Sequence, residues 1–197
     1  MSKKSIYFLF GMCTIALSLV LFFTVQRRKS TPYIQALANN SYIIEAEYVI
    51  RFPESVWRDR VVEWHNGENY SIEYTNKSYS VENGQYYLRE GNSDRVLCPT
   101  PNETERYLMA DMFARWSVTS NYDFSNAKFV REVTREIPEL ETGNPILCDC
   151  DEYIIENAED PILFCFRDGE LYAIHTSYMD NFIFYIDSFE TLEPRAM

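Results

Sequence analysis

The sequence predicts an α+β fold in which a strongly curved antiparallel sheet forms a half-barrel, a central helix covers it, and one transmembrane helix precedes both. Three observations lead there. Ser5 to Val25 is an uncharged apolar run between basic flanks. Most of the chain after Ser41 alternates apolar and polar residues at period two, punctuated by Asn-Gly and Asp-Gly dipeptides. Between the two sets of alternating segments, Asn102 to Trp116 repeats apolar residues at helical spacing.

About 20 apolar residues at roughly 1.5 Å each cross a hydrocarbon layer of about 30 Å. Lys3 and Lys4 precede the run, and Arg27, Arg28 and Lys29 follow it. A cleaved signal peptide has a shorter apolar core ending in small residues, whereas this core continues through Phe22, Phe23, Thr24 and Val25. Ala16-Leu17-Ser18 comes too early for a cut, and Met12 stands before Cys13 where a lipidation motif needs a small residue. The reading is an uncleaved signal anchor over residues 1–29 and an exported β-rich domain over residues 30–197. Flanking charge nearly balances, so orientation rests on the export-like basic head, which sends the large domain out of the cytoplasm. The implied localisation is a single-pass cell-membrane protein with its C-terminal domain extracytoplasmic.

The five Lys and Arg before Ser30 leave 13 basic against 30 acidic residues in the remainder, a net charge of about −17. Such a surface repels phosphate backbones and excludes nucleic acid as a partner. The 15 Tyr and 13 Phe, spread along the chain, argue for a packed domain rather than a disordered stalk.

Taken in order, Thr31 reads as the N-cap and Pro32 as the first residue of a short helix through Tyr33 to Ala38. Ile44, Ala46, Tyr48, Ile50 and Phe52 then alternate with Glu45, Glu47, Val49 and Arg51, a long half-buried strand. Val56 to Trp64 reads as a second strand, joined through Asn66-Gly67 to Tyr70, Ile72 and Tyr74. Asn83-Gly84 separates Tyr79 and Val81 from Tyr86 and Leu88, and Arg95 to Cys98 extends the meander. Pro99 and Pro101 interrupt it. Asn102 and Glu105 form a capping pair for the central helix, whose Leu108, Met109, Met112, Phe113 and Trp116 share one face. That face reads either as core against the sheet or as a lid over a groove. Strands resume at Lys128 to Ile137, Ile146 to Ile155 and Ile162 to Arg167; Asp168-Gly169 turns into Leu171 to His175, and Phe182 to Phe189 ends the pattern.

This layout resembles the periplasmic lipoprotein-carrier group (LolA and RseB type), which includes exported lipoproteins of spore-forming bacteria acting in sporulation and germination. The residues that carry the likeness are Tyr33 to Tyr42 entering the strand that ends at Phe52, Glu82-Asn83-Gly84-Gln85-Tyr86-Tyr87, and Phe166-Arg167-Asp168-Gly169-Glu170-Leu171-Tyr172. The resemblance implies a half-open barrel whose hollow binds acyl chains, misfolded polypeptide or a partner protein without catalysis. The chain departs from the group's exported lipoproteins in having no lipobox.

Cys98, Cys148, Cys150 and Cys165 are the candidates for special chemistry. Cys148 and Cys150 share one face of a strand, so a bridge from either to Cys165 is one reading and buried free thiols are the other. Asp149, Asp151 and His175 complete a conceivable metal set, but the spacing is not that of a zinc site and alternation parts the aspartates from the cysteines. Neither metal nor cofactor is expected. His65, beside a turn, reads as solvated, and pairs such as Glu45 with Glu47 arise readily in so acidic a chain. Sequons begin at Asn39, Asn69, Asn76 and Asn102.

The function expected is that of a membrane-anchored, non-catalytic binding or accessory protein in envelope or spore biology. It engages a protein partner or an acyl chain through its curved sheet and the groove or lid formed by Tyr48, Ile50, Trp64, Leu108, Met109, Met112, Phe113 and Trp116. The alternatives are an envelope-polymer hydrolase using His175 or acidic residues, and a structural subunit of a membrane complex.

Overall fold

Period-two alternation along most of the chain builds a single antiparallel sheet. The computed structural model describes residues 28–98, 122–156, 158, 160–175 and 182–193. A short helix, α1 (Thr31–Ala38), leads into β1 (Ser41–Arg51), β2 (Val56–Asn66), β3 (Asn69–Tyr74), β4 (Lys77–Glu82), β5 (Gln85–Glu90) and β6 (Val96–Cys98). After a single 3-10 turn at Phe124–Asn126 come β7 (Lys128–Pro138), β8 (Pro145–Ile154), β9 (Ile162–Arg167), β10 (Glu170–His175) and β11 (Phe182–Thr191). The order across the sheet is β6-β5-β4-β3-β2-β1-β11-β10-β9-β8-β7. Each half of the chain is thus a meander, and the last strand pairs with the first, joining Tyr48 to Phe184.

The predicted fold class is corrected. Among the described residues α1 is the only α-helix, eight residues long, or about 12 Å at the standard rise. No described helix is long and apolar enough to cross a membrane. Among the described residues the fold is therefore a large antiparallel sheet with one short helix and neither a central covering helix nor a transmembrane one, which corrects the α+β half-barrel expected. Within the described residues, Ala36 and Leu37 of α1, together with Phe124, pack into the sheet's main core, so period-two strands and not helices supply most of the apolar surface buried there. Single-pass membrane localisation, the signal-anchor description and a membrane partnership through an N-terminal helix are corrected on the same finding. Ser5–Val25 and Leu108–Trp116, on which those expectations rested, lie outside the described residues.

Turn chemistry sets the register. Asn83 and Gly84 both have positive φ (51° and 74°) between the paired Glu82 and Gln85. Asp168 and Gly169 do the same (54° and 91°) between Arg167 and Glu170. Both are two-residue turns whose twist matches the strands. The first hairpin differs from expectation: Asn66 pairs with Asn69, so the turn residues are Gly67 and Glu68, with Gly67 alone at positive φ.

On β1 the even residues Tyr42, Ile44, Ala46, Tyr48 and Ile50 enter the main core. Val49 joins a second core with Ile137, Cys148, Cys150, Cys165, Ala173, Ile183 and Tyr185. These two sides are called the Tyr48 face and the Val49 face below. The Val49 face is covered by the chain itself. The β7–β8 turn curls back across it until the Arg51 guanidinium donates to the carbonyls of Glu139 (3.0 Å) and Leu140 (3.2 Å), and Arg58 donates to Leu140 (2.6 Å). Tyr185 donates to the Pro138 carbonyl at 2.6 Å, and Tyr172 accepts from the Leu140 amide at 3.0 Å. Four strands separate β7 from β1 in the sheet, so these bonds require strong curling.

Among the described strands β7 is an edge, and it carries Lys128, Arg131, Glu132, Arg135 and Glu136 and a register shift between Phe129 and Arg131. Charges and an irregularity of this kind blunt an edge against pairing with another chain.

The entry to α1 also departs from expectation. The capping residue is Ser30, which makes no side-chain capping bond, because its hydroxyl is used elsewhere. Ser30 Oγ donates to Asp151 at 2.5 Å, its amide donates to the same oxygen at 3.2 Å, and Tyr153 supplies a hydroxyl 2.8 Å away. Beside it, Lys29 pairs with Asp149 at 3.2 Å and Arg28 lies 3.6 Å over the Phe129 ring. Removing the buried carboxylate leaves the Ser30 amide without its acceptor and the Ser30 hydroxyl with Tyr153 alone. Asp151→Ala is expected to lower the unfolding free energy by about 1–3 kcal/mol in urea denaturation; a change near zero would mean that the node does not anchor the segment.

Candidate functional site

Directly opposed residues share a face in an antiparallel ladder, which allows a site to be traced strand by strand. At one end of the Tyr48 face, Tyr42 lies opposite His65, and His65 opposite Tyr70. The rings stack at centroid separations of 4.7 Å and 5.1 Å. The row continues through Val81 to Tyr86, and Tyr79, opposite Ile72 in the adjoining row, lies diagonally 5.6 Å from Tyr70 with hydroxyls 3.2 Å apart and 6.4 Å from Tyr86. Glu63, wholly buried, occupies the next row between Ile44 and Ile72.

His65 is therefore buried between two tyrosine rings and not solvated as its place beside a turn implied. Burial lowers its pKa to about 4, because a cation there would lose its water. Burial likewise pushes the hydroxyls of Tyr70 and Tyr79 above the ordinary tyrosine range. These side chains are therefore uncharged at neutral pH, which suits a wall better than a proton shuttle.

At the other end of the same face, Tyr48 packs edge-on against Tyr74 and Phe184 at 6.3 Å and 6.5 Å. The next residue on this face, Ile50, lies opposite Trp57. Here burial stops abruptly. Tyr48 and Ile50 are 0% and 1% exposed, whereas Trp57 is 45% and Phe52 47% exposed. Phe52 continues the parity of Ile50 into a turn closed by hydrogen bonds between Phe52 and Ser55. Trp57 and Phe52 are thus diagonal neighbours on one face of the hairpin tip, a separation aromatic side chains bridge. The opposite face of the hairpin is ionic, with Arg60 on Glu45 at 2.6 Å and Arg58 on Glu47 at 3.5 Å. Glu45 and Glu47 thus each hold an arginine across the β1–β2 ladder.

Of the predicted binding residues, Tyr48 and Ile50 share the Tyr48 face but are core. Trp64 lies opposite Ile43 and Ser71 on the other face, so the sheet separates it from them. Leu108, Met109, Met112, Phe113 and Trp116 lie outside the described residues. Cys98, Cys148, Cys150 and Cys165 are buried free thiols. Asp151 serves Ser30, Asp149 serves Lys29, and among the described residues no group of three or more His, Cys, Asp or Glu side chains is placed to hold a metal ion.

Trp57 and Phe52 were missed as site residues. Their signal lay in the local sequence: Pro53-Glu54 forces a tight turn, so residues beside it project past the core even when they keep its apolar parity.

The two histidines of the chain cannot share a site. His65 pairs with Tyr42, and His175 with Ile183, itself the partner of Val49. Seven residues of β1 at roughly 3.4 Å each therefore separate them along the sheet.

No family model matches the chain, and no curated protein matches it.

Proposed function

We propose that this protein is a non-catalytic binding protein that receives an apolar segment of a partner polypeptide at the hairpin rim of its Tyr48 face. The single observation that carries this reading is the unbroken passage from buried Tyr48, Ile50 and Phe184 to the half-exposed pair Trp57 and Phe52. Isolated exposed apolar residues are ordinary on protein surfaces. Two large aromatics contiguous with the core, on one side of a hairpin whose other side is ionic, form a directional patch. Rigid aromatic side chains are the usual anchors of protein interfaces, since they bury much area and lose few rotamers.

The test places a photo-crosslinking phenylalanine analogue at position 52, 57 or 73 of the full chain in its own cells. Glu73 projects from the Val49 face, opposite Val62, and serves as the control. Adducts to one polypeptide from positions 52 and 57 but not 73 are expected. Trp57→Ala should weaken that association about 10-fold or more, the scale of an interface hot spot. Equal labelling from all three positions, or adducts only to lipid, would overturn the reading.

A further inference from the structure

We propose that Cys150 and Cys165 form a cross-strand disulfide that ties β8 to β9 beneath the curled β7–β8 hairpin. The two residues are direct partners in the ladder, and their sulfur atoms are already 3.0 Å apart as thiols. Antiparallel partners have Cα atoms about 4.5–5.5 Å apart, inside the roughly 4.4–6.8 Å that disulfides span. Closing to a bonded separation of about 2.05 Å needs less than about 1 Å of further approach, with no change of register.

The other pairings are geometrically worse. Cys148 lies opposite Arg135 on β7, and the pairing of β8 with β9 begins only at Asp149, so no cysteine faces Cys148 across a ladder. Cys148 and Cys150 are two residues apart on one strand, nearly 7 Å along an extended chain. Cys98 lies on β6 at the far edge of the sheet.

The oxidant is a small-molecule disulfide of the glutathione class. Cys150 gives up its proton and its thiolate attacks one sulfur of the oxidant, expelling one small thiolate that takes a proton. Cys165 then loses its proton and attacks the Cys150 sulfur in the mixed disulfide, expelling the second small thiolate, which is protonated in turn. Two protein thiols are oxidised, one small disulfide is reduced to two thiols, and protons and electrons balance. Contact with Cys165 holds the Cys150 thiol below its ordinary range, while contact with Cys150 and burial push Cys165 well above it. Both residues are buried, so the exchange takes place during folding or local opening.

The experiment refolds the reduced full chain in oxidised and reduced glutathione, alkylates the remaining thiols and maps peptides by mass spectrometry. The expected result is a Cys150–Cys165 linked peptide with Cys98 and Cys148 alkylated. Cys148→Ser should retain the link and Cys150→Ser should lose it. Oxidation should raise the thermal midpoint by several degrees in the wild type and leave it unchanged in a Cys150→Ala/Cys165→Ala double variant, which preserves the small apolar volume if either serine variant folds poorly. A Cys148-linked peptide, or full alkylation of Cys150 and Cys165 after refolding in the oxidising buffer, would overturn the proposal.

Discussion

Phe164→Ala is expected to destabilise the protein by about 3–5 kcal/mol, the usual cost of emptying a buried phenylalanine site. Phe164 is wholly buried on β9, between Asp151 of β8 and Ile174 of β10. Its ring meets Tyr153 at 5.7 Å and Phe124 at 6.4 Å, both edge-on. It therefore joins the sheet to the 3-10 turn that helps cover the Tyr48 face, and neither neighbour can fill the void without breaking its own packing. A domain of this size has a total stability of about 5–15 kcal/mol, so the variant is close to the limit of folding. The thermal midpoint should fall by roughly 6–20 °C, at about 2–4 °C per kcal/mol. Urea denaturation of the variant beside Leu147→Ala provides the control. Leu147 is 70% exposed, and its truncation is expected to stay within about 0.5 kcal/mol. Similar effects for both variants would contradict the assigned core.

The second large effect is a pH dependence that His65 imposes on folding. Burial lowers its pKa from 6.5 to about 4 in the folded protein, while the unfolded chain keeps the ordinary value. Between those limits the unfolded state binds the extra proton, so stability rises with pH across the window. The contribution is fully present above pH 6.5 and is lost as pH falls toward 4. At about 1.36 kcal/mol per pKa unit the loss amounts to at most about 3 kcal/mol. His65→Phe preserves a flat ring between Tyr42 and Tyr70 and removes the titration. The difference between wild type and variant, followed by urea denaturation from pH 4 to 8, should be flat above pH 7 and should tilt in the variant's favour below 6. Carboxylates common to both proteins cancel in that difference. A constant difference across the range would show that His65 titrates normally and that the aromatic row is open to water.

Much of the strand list was legible because one residue in two is apolar wherever a half-buried strand runs, and because Asn83-Gly84 and Asp168-Gly169 tolerate the positive φ their turns need. Tyr48 and Ile50 were correctly assigned to one face for the same reason. Parity is relative, however, and does not propagate through an unknown register. Trp64 was grouped with Tyr48, but the observed β1–β2 register opposes it to Ile43 and so puts it through the sheet. His65 was read as solvated from its position near a turn, yet stacking on both sides depends on Tyr42 and Tyr70, which lie 23 residues before it and five after it. The exposure of Trp57 was not legible, because its direct partner Ile50 is still core and burial ends within that residue pair.

What the sequence determined by itself is local: strands of period two, the turn dipeptides between them, the acidic surface and the placement of Cys148 and Cys150 on one side of a strand. These follow from residue chemistry within a few positions of the chain. Only the tertiary structure decided that β11 closes on β1, that the β7–β8 turn curls back to Arg51 and Arg58, that Cys150 faces Cys165, and that the aromatic face emerges at Phe52 and Trp57. The reason is that strand order and curvature are set by burial summed over many distant contacts, a quantity that no short stretch of sequence carries.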